Sequence, residues 1–318
     1  LFAYDSRDRV NEYCIYKHAV GADVPLLWQR MKYDSVGNRI QDNTFEGSVS
    51  ITNYMRKRNI ISLDNLGSIV RYSYDKLYRL TGVHYRNDEQ IYSYDPVGNR
   101  ISHSFELGKH DFGYNNLNQL IRMKINQGNG IKEFAYDENG SLISDKSFRT
   151  GNPIGTTGKL LSERRFTYDY DNRMERADFI NNQKITPNQK DASIVWKRDA
   201  DGVIFCEETY YGSHLSDKKT TINKVEEYGK DNNLSYAYLG GIARWDNTRN
   251  EMQWYHKDVL GSTVLVTDKD GWKLERTSYD PFGSIEKQVT KIENDKGFTG
   301  HKQDKKIDRI VTDPRTYN

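Results

Sequence analysis

Residues Phe134–Ile143 read FAYDENGSLI, and this stretch decides the fold. Phe134-Ala135-Tyr136 sets two rings around a small residue, the alternation of a strand with one buried face. Asp137-Glu138-Asn139-Gly140 then supplies turn chemistry: an aspartate accepts bonds from backbone two residues on, and Asn-Gly tolerates the positive φ of a tight hairpin. Ser141-Leu142-Ile143 begins a return strand. One such phrase is therefore one β-hairpin.

The phrase recurs along the chain. It reads FAYDSRDRV from Phe2, MKYDSVGNRI from Met31, YSYDKLYRLTGV from Tyr72, YSYDPVGNRI from Tyr92, FGYNNLNQLI from Phe112 and FTYDYDNRM from Phe166. VWKRDADGVIF from Val195 is a decayed copy and TSYDPFGSI from Thr277 a late one. The central tyrosines are Tyr4, Tyr33, Tyr74, Tyr94, Tyr114, Tyr136, Tyr168 and Tyr279, and Tyr74, Tyr94, Tyr114 and Tyr136 follow one another at intervals of 20, 20 and 22 residues. Repetition at a fixed period is the mark of stacked supersecondary units. A lone hairpin is marginal in water; side by side, hairpins share ladder bonds and bury a continuous face. The expected fold is all-β, a long curved sheet of stacked hairpins, with no sustained helical periodicity.

Composition agrees. Of 318 residues 36% are hydrophobic, yet 23 are Tyr, as suits a sheet with a wet face that buries amphipathic rings rather than aliphatic ones. The balance of 47 basic and 45 acidic side chains removes the footprint of a nucleic-acid binder. No apolar run approaches the roughly 18 residues of a membrane span. Two cysteines, Cys14 and Cys206, make no disulfide scaffold or CxxC pair. Phosphate-binding glycine loops, HExxH and clustered Cys/His are absent, so neither cofactor nor metal is expected. The runs 149–159, 181–191 and 213–225 read as loops. The basic stretches Arg56-Lys57-Arg58 and Lys302 to Lys306 read as solvated edges that discourage sheet-to-sheet pairing. Trp245, Trp254 and Trp272 read as buried sheet aromatics, with sugar stacking as the other use open to them.

The repeats YSYDKLYRLTGV and YSYDPVGNRIS resemble those of the YD-repeat proteins, in particular the Rhs (rearrangement hot spot) proteins and the C component of Tc insecticidal toxin complexes. The last third resembles the Rhs-associated core, through Tyr255–Thr263 (YHKDVLGST), Val264–Ile285 (VLVTDKDGWKLERTSYDPFGSI) and Gly297-Phe298-Thr299-Gly300. The residues that carry this match are His256, Asp258, Leu260, Gly261, Ser262, Thr263, Asp280, Pro281, Phe282 and Gly283. The likeness divides the chain into a hairpin array over 1–235 and a core-like segment over 236–318.

The resemblance implies a hollow shell wound from one β-strip around a C-terminal toxin domain. The core would plug one end and, in the family, act as an aspartyl autoprotease that frees the toxin. It also implies a secreted or injected protein, whose partners are the toxin cargo and either the rest of a larger polypeptide or a B-type shell partner. Here Thr312–Thr316 resembles the family's YDPRTG phrase, but the Tyr-rich stretch before it is shortened. Asp280 and Asp313 are the only carboxylates in matching Asp-Pro phrases, so they are the catalytic candidates. The motif is incomplete, and the expected role is a non-catalytic shell segment. Two other readings stay open: an extracellular adhesion or glycan-binding module, as the teneurins use their YD shell, and a surviving autoprotease.

Overall fold

A computed structural model describes residues 2–19, 22–46, 68–126, 130–149, 158–181, 191–304, 309–311 and 316–317. The chain falls into two compact units, Leu1–Lys132 with Thr150–Asn152, and Glu133–Arg149 with Pro153–Asn318. The first holds β1 (Phe2–Tyr4), β2 (Val10–Ala19), β3 (Ala22–Tyr33), β4 (Arg39–Glu46), β5 (Ser68–Tyr74), β6 (Leu80–His84), β7 (Glu89–Tyr94), β8 (Arg100–Phe105), β9 (Gly108–Tyr114) and β10 (Leu120–Ile125). Strand β11 (Gly130–Tyr136) passes from one to the other. The second continues with β12 (Leu142–Arg149), β13 (Lys159–Tyr168), β14 (Met174–Asn181), β15 (Ala192–Arg198), β16 (Ile204–Tyr211), β17 (His214–Ile222) and β18 (Glu226–Tyr228). It ends with β19 (Leu234–Leu239), β20 (Ala243–Asp246), β21 (Glu251–Lys257), β22 (Thr263–Thr267), β23 (Lys273–Tyr279), β24 (Ile285–Thr290) and a small three-stranded sheet, β25 (Lys302–Asp304), β26 (Arg309–Val311) and β27 (Thr316–Tyr317). The protein is all-β. Among the described residues the helical content is a single 3-10 turn at Phe298–Gly300.

Within each unit the strands pair with their chain neighbours, antiparallel, as a run of hairpins requires. The segment 213–225, expected as a loop, is mostly strand β17, paired with β16 on one side and β18 on the other. Its polar side chains are half-buried because charged partners cover them, a feature its own sequence does not display. The runs expected as loops at 149–159 and 181–191 lie mainly outside the described residues, as does Arg56-Lys57-Arg58. The division between 235 and 236 falls within β19.

The position two before the repeat tyrosine feeds the core in several copies. Met31, Tyr92, Phe166, Trp196 (its counterpart in the decayed copy) and Thr277 are all buried. In the second unit Phe166 and Trp196 join Leu142, Met174, Ala177 and Ile194 in one cluster. In the first unit an aromatic run crosses β7, β8 and β9. Tyr92 stacks on His103 at 4.7 Å, His103 meets Phe105 at 5.3 Å, and Phe105 meets His110 edge-on at 5.1 Å.

These imidazoles make stability pH-dependent. Burial, with the positive charge of Arg100, pushes His103 down to about 4 and lowers His110; burial alone pushes His256 down to about 4. Unfolded imidazoles take up protons near 6.5. Between that pH and about 4 the unfolded chain binds more protons than the folded one, so this stability is full above 6.5 and is lost as pH falls toward 4. The thermal midpoint is expected to hold steady above pH 7 and to drop across that window. His103→Phe, which keeps a ring in the stack, should flatten part of the drop; an equally steep fall in the variant would contradict this assignment.

Candidate functional site

Each turn of the Tyr-Asp phrase is built the same way. In YSYDPVGNR the Asp95 amide donates to the Asn99 carbonyl at 2.9 Å and the Gly98 amide returns to the Asp95 carbonyl at 3.1 Å. The Asp95 carboxylate accepts from the Asn99 amide at 2.8 Å and from its side chain at 2.9 Å. Tyr94 then pairs with Arg100 through a bulge, the geometry of a type I turn closed by a left-handed residue. That left-handed residue is Asn118 at φ 58° or Asn172 at φ 62° where the sequence has Asn, and Gly98 at φ 100° or Gly283 at φ 90° where the turn opens further than a side chain allows.

The same two backbone bonds close turns at Asp258, Asp268 and Gly229, three copies not recognised in the sequence phrase. There Lys257, Thr267 and Gly229 replace the Tyr or Asp that marks the others. The D-x-x-G spacing of Asp258–Gly261 and Asp268–Gly271 was the signal that could have found two of them.

The repeat tyrosines tie hairpin to hairpin. Six of them donate the hydroxyl to the carbonyl six residues after the tyrosine position of the preceding hairpin on the same edge. Tyr33 reaches Val10 at 2.8 Å, Tyr74 reaches Arg39 at 2.7 Å, Tyr94 reaches Leu80 at 2.7 Å and Tyr114 reaches Arg100 at 3.0 Å. In the second unit Tyr168 reaches Leu142 at 2.7 Å and Tyr279 reaches Thr263 at 3.1 Å. Arg198, at the tyrosine position of the decayed copy, takes over the bond by reaching the Met174 carbonyl at 2.6 Å. Burial raises the phenol pKa of Tyr33, Tyr74, Tyr94, Tyr114 and Tyr279, keeping the hydroxyls protonated as donors. Arginines stitch forward: Arg79 lies 4.9 Å over the Tyr94 ring and donates to the Asp95 carbonyl at 3.0 Å.

The register between hairpins is equally fixed. The residue eight after one tyrosine position pairs with the residue three before the next on the same edge: Glu12 with Arg30, Gln41 with Arg71, Gly82 with Ile91 and Ser102 with Asp111. The rule holds for Ser144 with Arg165, Arg176 with Val195, and Leu265 with Arg276.

The three phrases of the last third converge. His256 lies on β21, with its ring 2.9 Å from the Thr267 hydroxyl, and Asp258, Leu260 and Gly261 form the β21–β22 turn. Asp280, Pro281, Phe282 and Gly283 form the β23–β24 turn. Phe298 packs 5.6 Å from the Tyr279 ring, and its edge lies 2.7 Å from where a Gly283 Cβ would sit. The Thr299 amide donates to the Ser262 hydroxyl at 3.0 Å, and the Thr263 amide to the Gly297 carbonyl at 3.1 Å. Asp280 accepts from the amides of Phe282 at 2.8 Å and Ser284 at 2.9 Å, the turn role of Asp34, Asp75 and Asp95. Asp313 lies outside the described residues.

Residues 291–300 form a strap across β20–β23, held by a buried polar layer that the sequence did not reveal. Ile292 packs with Tyr255, Val266 and Leu274. Arg244, 2% exposed, donates to Gln253 at 2.8 Å and to the Glu293 carbonyl, and lies 4.0 Å over the Tyr236 ring. Asn294 donates to Glu275 at 2.7 Å, and Lys219 pairs with Glu293 at 2.8 Å. Lys302, expected on a solvated edge, instead pairs with Glu207 at 2.8 Å and lies 3.9 Å from Asp295. Burial opposes ionisation of Asp295, but Lys302, Lys296, Lys219 and Arg244 outweigh it and hold the carboxyl below its ordinary range. Trp254 and Trp272, expected to be buried, are 39% and 68% exposed. Among the described residues no group of three His, Cys, Asp or Glu side chains is placed to hold a metal ion.

Turns closed mostly by aspartate, rings bonded to the hairpin before, and a register that recurs at seven junctions define a strip-forming structural repeat. The chain belongs to the YD-shell family: the Teneurin YD-shell family matches residues 47–318. No curated protein matches the chain. Among solved structures, the Tc holotoxin pore of Photorhabdus luminescens is 14% identical with a TM-score of 0.39, over 100% of this chain and 19% of that one. A TcdB2-TccC3 structure is 13% identical with a TM-score of 0.39, over 100% and 20%. A porin-like protein from Bacteroides uniformis is 11% identical with a TM-score of 0.31, over 78% and 91%. The chain spans about a fifth of the length of the Tc chains it matches.

Proposed function

We propose that the chain is a non-catalytic wall segment of an Rhs/Tc-type toxin shell that encloses a C-terminal toxin domain of the same larger polypeptide. Membership of the YD-shell family gives the structural role. The observation that carries the reading is the recurring link from six repeat-tyrosine hydroxyls to the preceding hairpin, which adds wall one hairpin at a time. In this reading residues 1–235 are wall, and 236–318 the core-like end, where the strap and Phe298 close over the last hairpins. The protein is secreted or injected, and its partners are the toxin cargo and the remaining shell. No helix among the described residues is long and apolar enough to cross a membrane. Asp280 serves the turn rather than peptide cleavage. Exposed Trp254 and Trp272 favour glycan binding as a second reading, which would show as saturable binding on a glycan array that is lost in Trp272→Ala.

The test is protease protection in the gene product purified from its source. Sequence beyond residue 318 is expected to resist a protease while the shell is intact, and to be digested once mild urea opens it. Digestion at the rate of an unfolded chain in the untreated product would refute encapsulation.

A further inference from the structure

Ser73 on β5, His84 on β6 and Glu89 on β7 meet on one face of the first unit. His84 Nδ1 lies 2.7 Å from the Glu89 carboxylate, and His84 Nε2 lies 2.8 Å from the Ser73 hydroxyl. An ionised carboxylate can only accept, so Nδ1 carries the proton shared with Glu89, and Nε2 of the neutral ring is left to accept from Ser73. Register brings the three together. Ser73, Gly82 and Ile91 stand in one row across the strands, and Arg71, His84 and Glu89 in the row beside it. A Cβ on Gly82 would lie 2.8 Å from His84 Nε2, so the bare glycine is what lets the imidazole lean across to Ser73. The site is open to solvent: the His84 and Glu89 side chains are 35% and 55% exposed, and Ser73 is exposed. The hairpin repeat does not require this arrangement. In the next copy Ser93 stands at the place of Ser73, but Ser104 replaces His84 and Lys109 replaces Glu89, and Ser93 accepts from the Ser102 hydroxyl at 3.0 Å.

We propose that Ser73 is a covalent modification site, a serine activated by His84 and Glu89 that takes an acyl group from an activated carboxylic ester. Nucleophile, base and a third group that orients the base are the parts such activation needs. The Ser73 oxygen attacks the ester carbonyl and its proton passes to His84 Nε2. The bond from the acyl carbon to the leaving oxygen then breaks, and His84 returns the proton to that oxygen. The products are O-acyl Ser73 and an alcohol. Exposed Arg71, on the same face two residues before Ser73, brings positive charge to the side where the carbonyl oxygen turns negative. Ser73 lies in a strand ladder and not on a strand-to-helix turn, where backbone amides converge on an oxyanion, so one transfer is expected rather than turnover. The modification goes beyond the wall-segment reading and uses neither a tyrosine rung nor a turn aspartate.

The 318-residue chain treated with p-nitrophenyl acetate, digested and mapped by mass spectrometry gives the acetylation rate of each serine. Ser93 is the control within the same molecule, exposed at the equivalent place without the base. Ser73 is expected to acetylate on the order of a hundredfold faster than Ser93. His84→Gln should bring Ser73 down to the rate of Ser93. Glu89→Gln keeps an acceptor for Nδ1 and loses the charge, and its rate should fall between the two. Gly82→Ala should slow Ser73 with all three side chains in place, by pushing the imidazole aside. Should a variant fail to fold, the comparison of Ser73 with Ser93 in the parent chain decides alone. Equal rates at the two serines would overturn the proposal, as would a folded His84→Gln chain whose Ser73 reacts at the parent rate. An acetyl group found on His84 instead of Ser73 would also overturn it. Cargo protection is read on the product from its source and not on Ser73, so the two readings fail separately.

Discussion

Replacing Arg244 by alanine is expected to cost about 3–5 kcal/mol of stability in the second unit, the range for removing one partner of a buried charged network. Arg244 is the post on which the strap is tied. Its guanidinium bonds Gln253, which in turn donates to Asp246 at 3.0 Å, and it holds the Glu293 carbonyl while stacking on Tyr236. Without it, buried Gln253 loses its guanidinium partner and the Glu293 carbonyl its donor, while Asp246 keeps Gln253 and Arg249, the latter's guanidinium at 3.8 Å. Limited proteolysis should then cut between 291 and 300, while β1–β10 keep their resistance. Arg244→Lys restores a charge but not the forked donor geometry, and should recover part of the protection. An alanine variant with an intact strap would show that Ile292 and Phe298 hold the segment unaided.

The tyrosine rungs give the second large effect. Tyr94→Ala removes a half-buried ring between two hairpins and should cost about 2–4 kcal/mol. Tyr94→Phe keeps the ring under Arg79 and loses the bond to the Leu80 carbonyl at 2.7 Å, for about 0.5–1.5 kcal/mol. Urea unfolding of the two variants measures both. Equal midpoints would mean that the ring contributes nothing beyond its hydroxyl, and a Tyr94→Phe midpoint equal to that of the parent would remove the hydroxyl link.

The hairpins were legible because their chemistry is local. Asp137 followed three residues later by Gly140 states a turn, and Phe134-Ala135-Tyr136 states a strand, without reference to the rest of the chain. The turn at Gly229 escaped notice because it keeps the geometry after losing the aspartate; its Asn232 supplies the left-handed residue. The destination of each tyrosine hydroxyl was not legible, since it depends on the register between hairpins joined by connections of different length. The strap was hidden for another reason. Lys219 and Lys302 look like solvated charges in sequence, and they are partly buried because Glu293 and Glu207, 74 and 95 residues away in the chain, come to meet them. Asp280 drew attention as an acid in an Asp-Pro phrase, yet the same carboxylate-to-amide bonds occur at Asp34 and Asp75, where no Asp-Pro phrase stands.

The wall-segment reading is tested most directly by the intact mass of the gene product purified from its source. It is expected to lie far above the 37.1 kDa of this chain, because a strip that encloses a folded domain needs many more hairpins than these. A product of about 37 kDa would contradict encapsulation, since no shell of that size closes around a cargo.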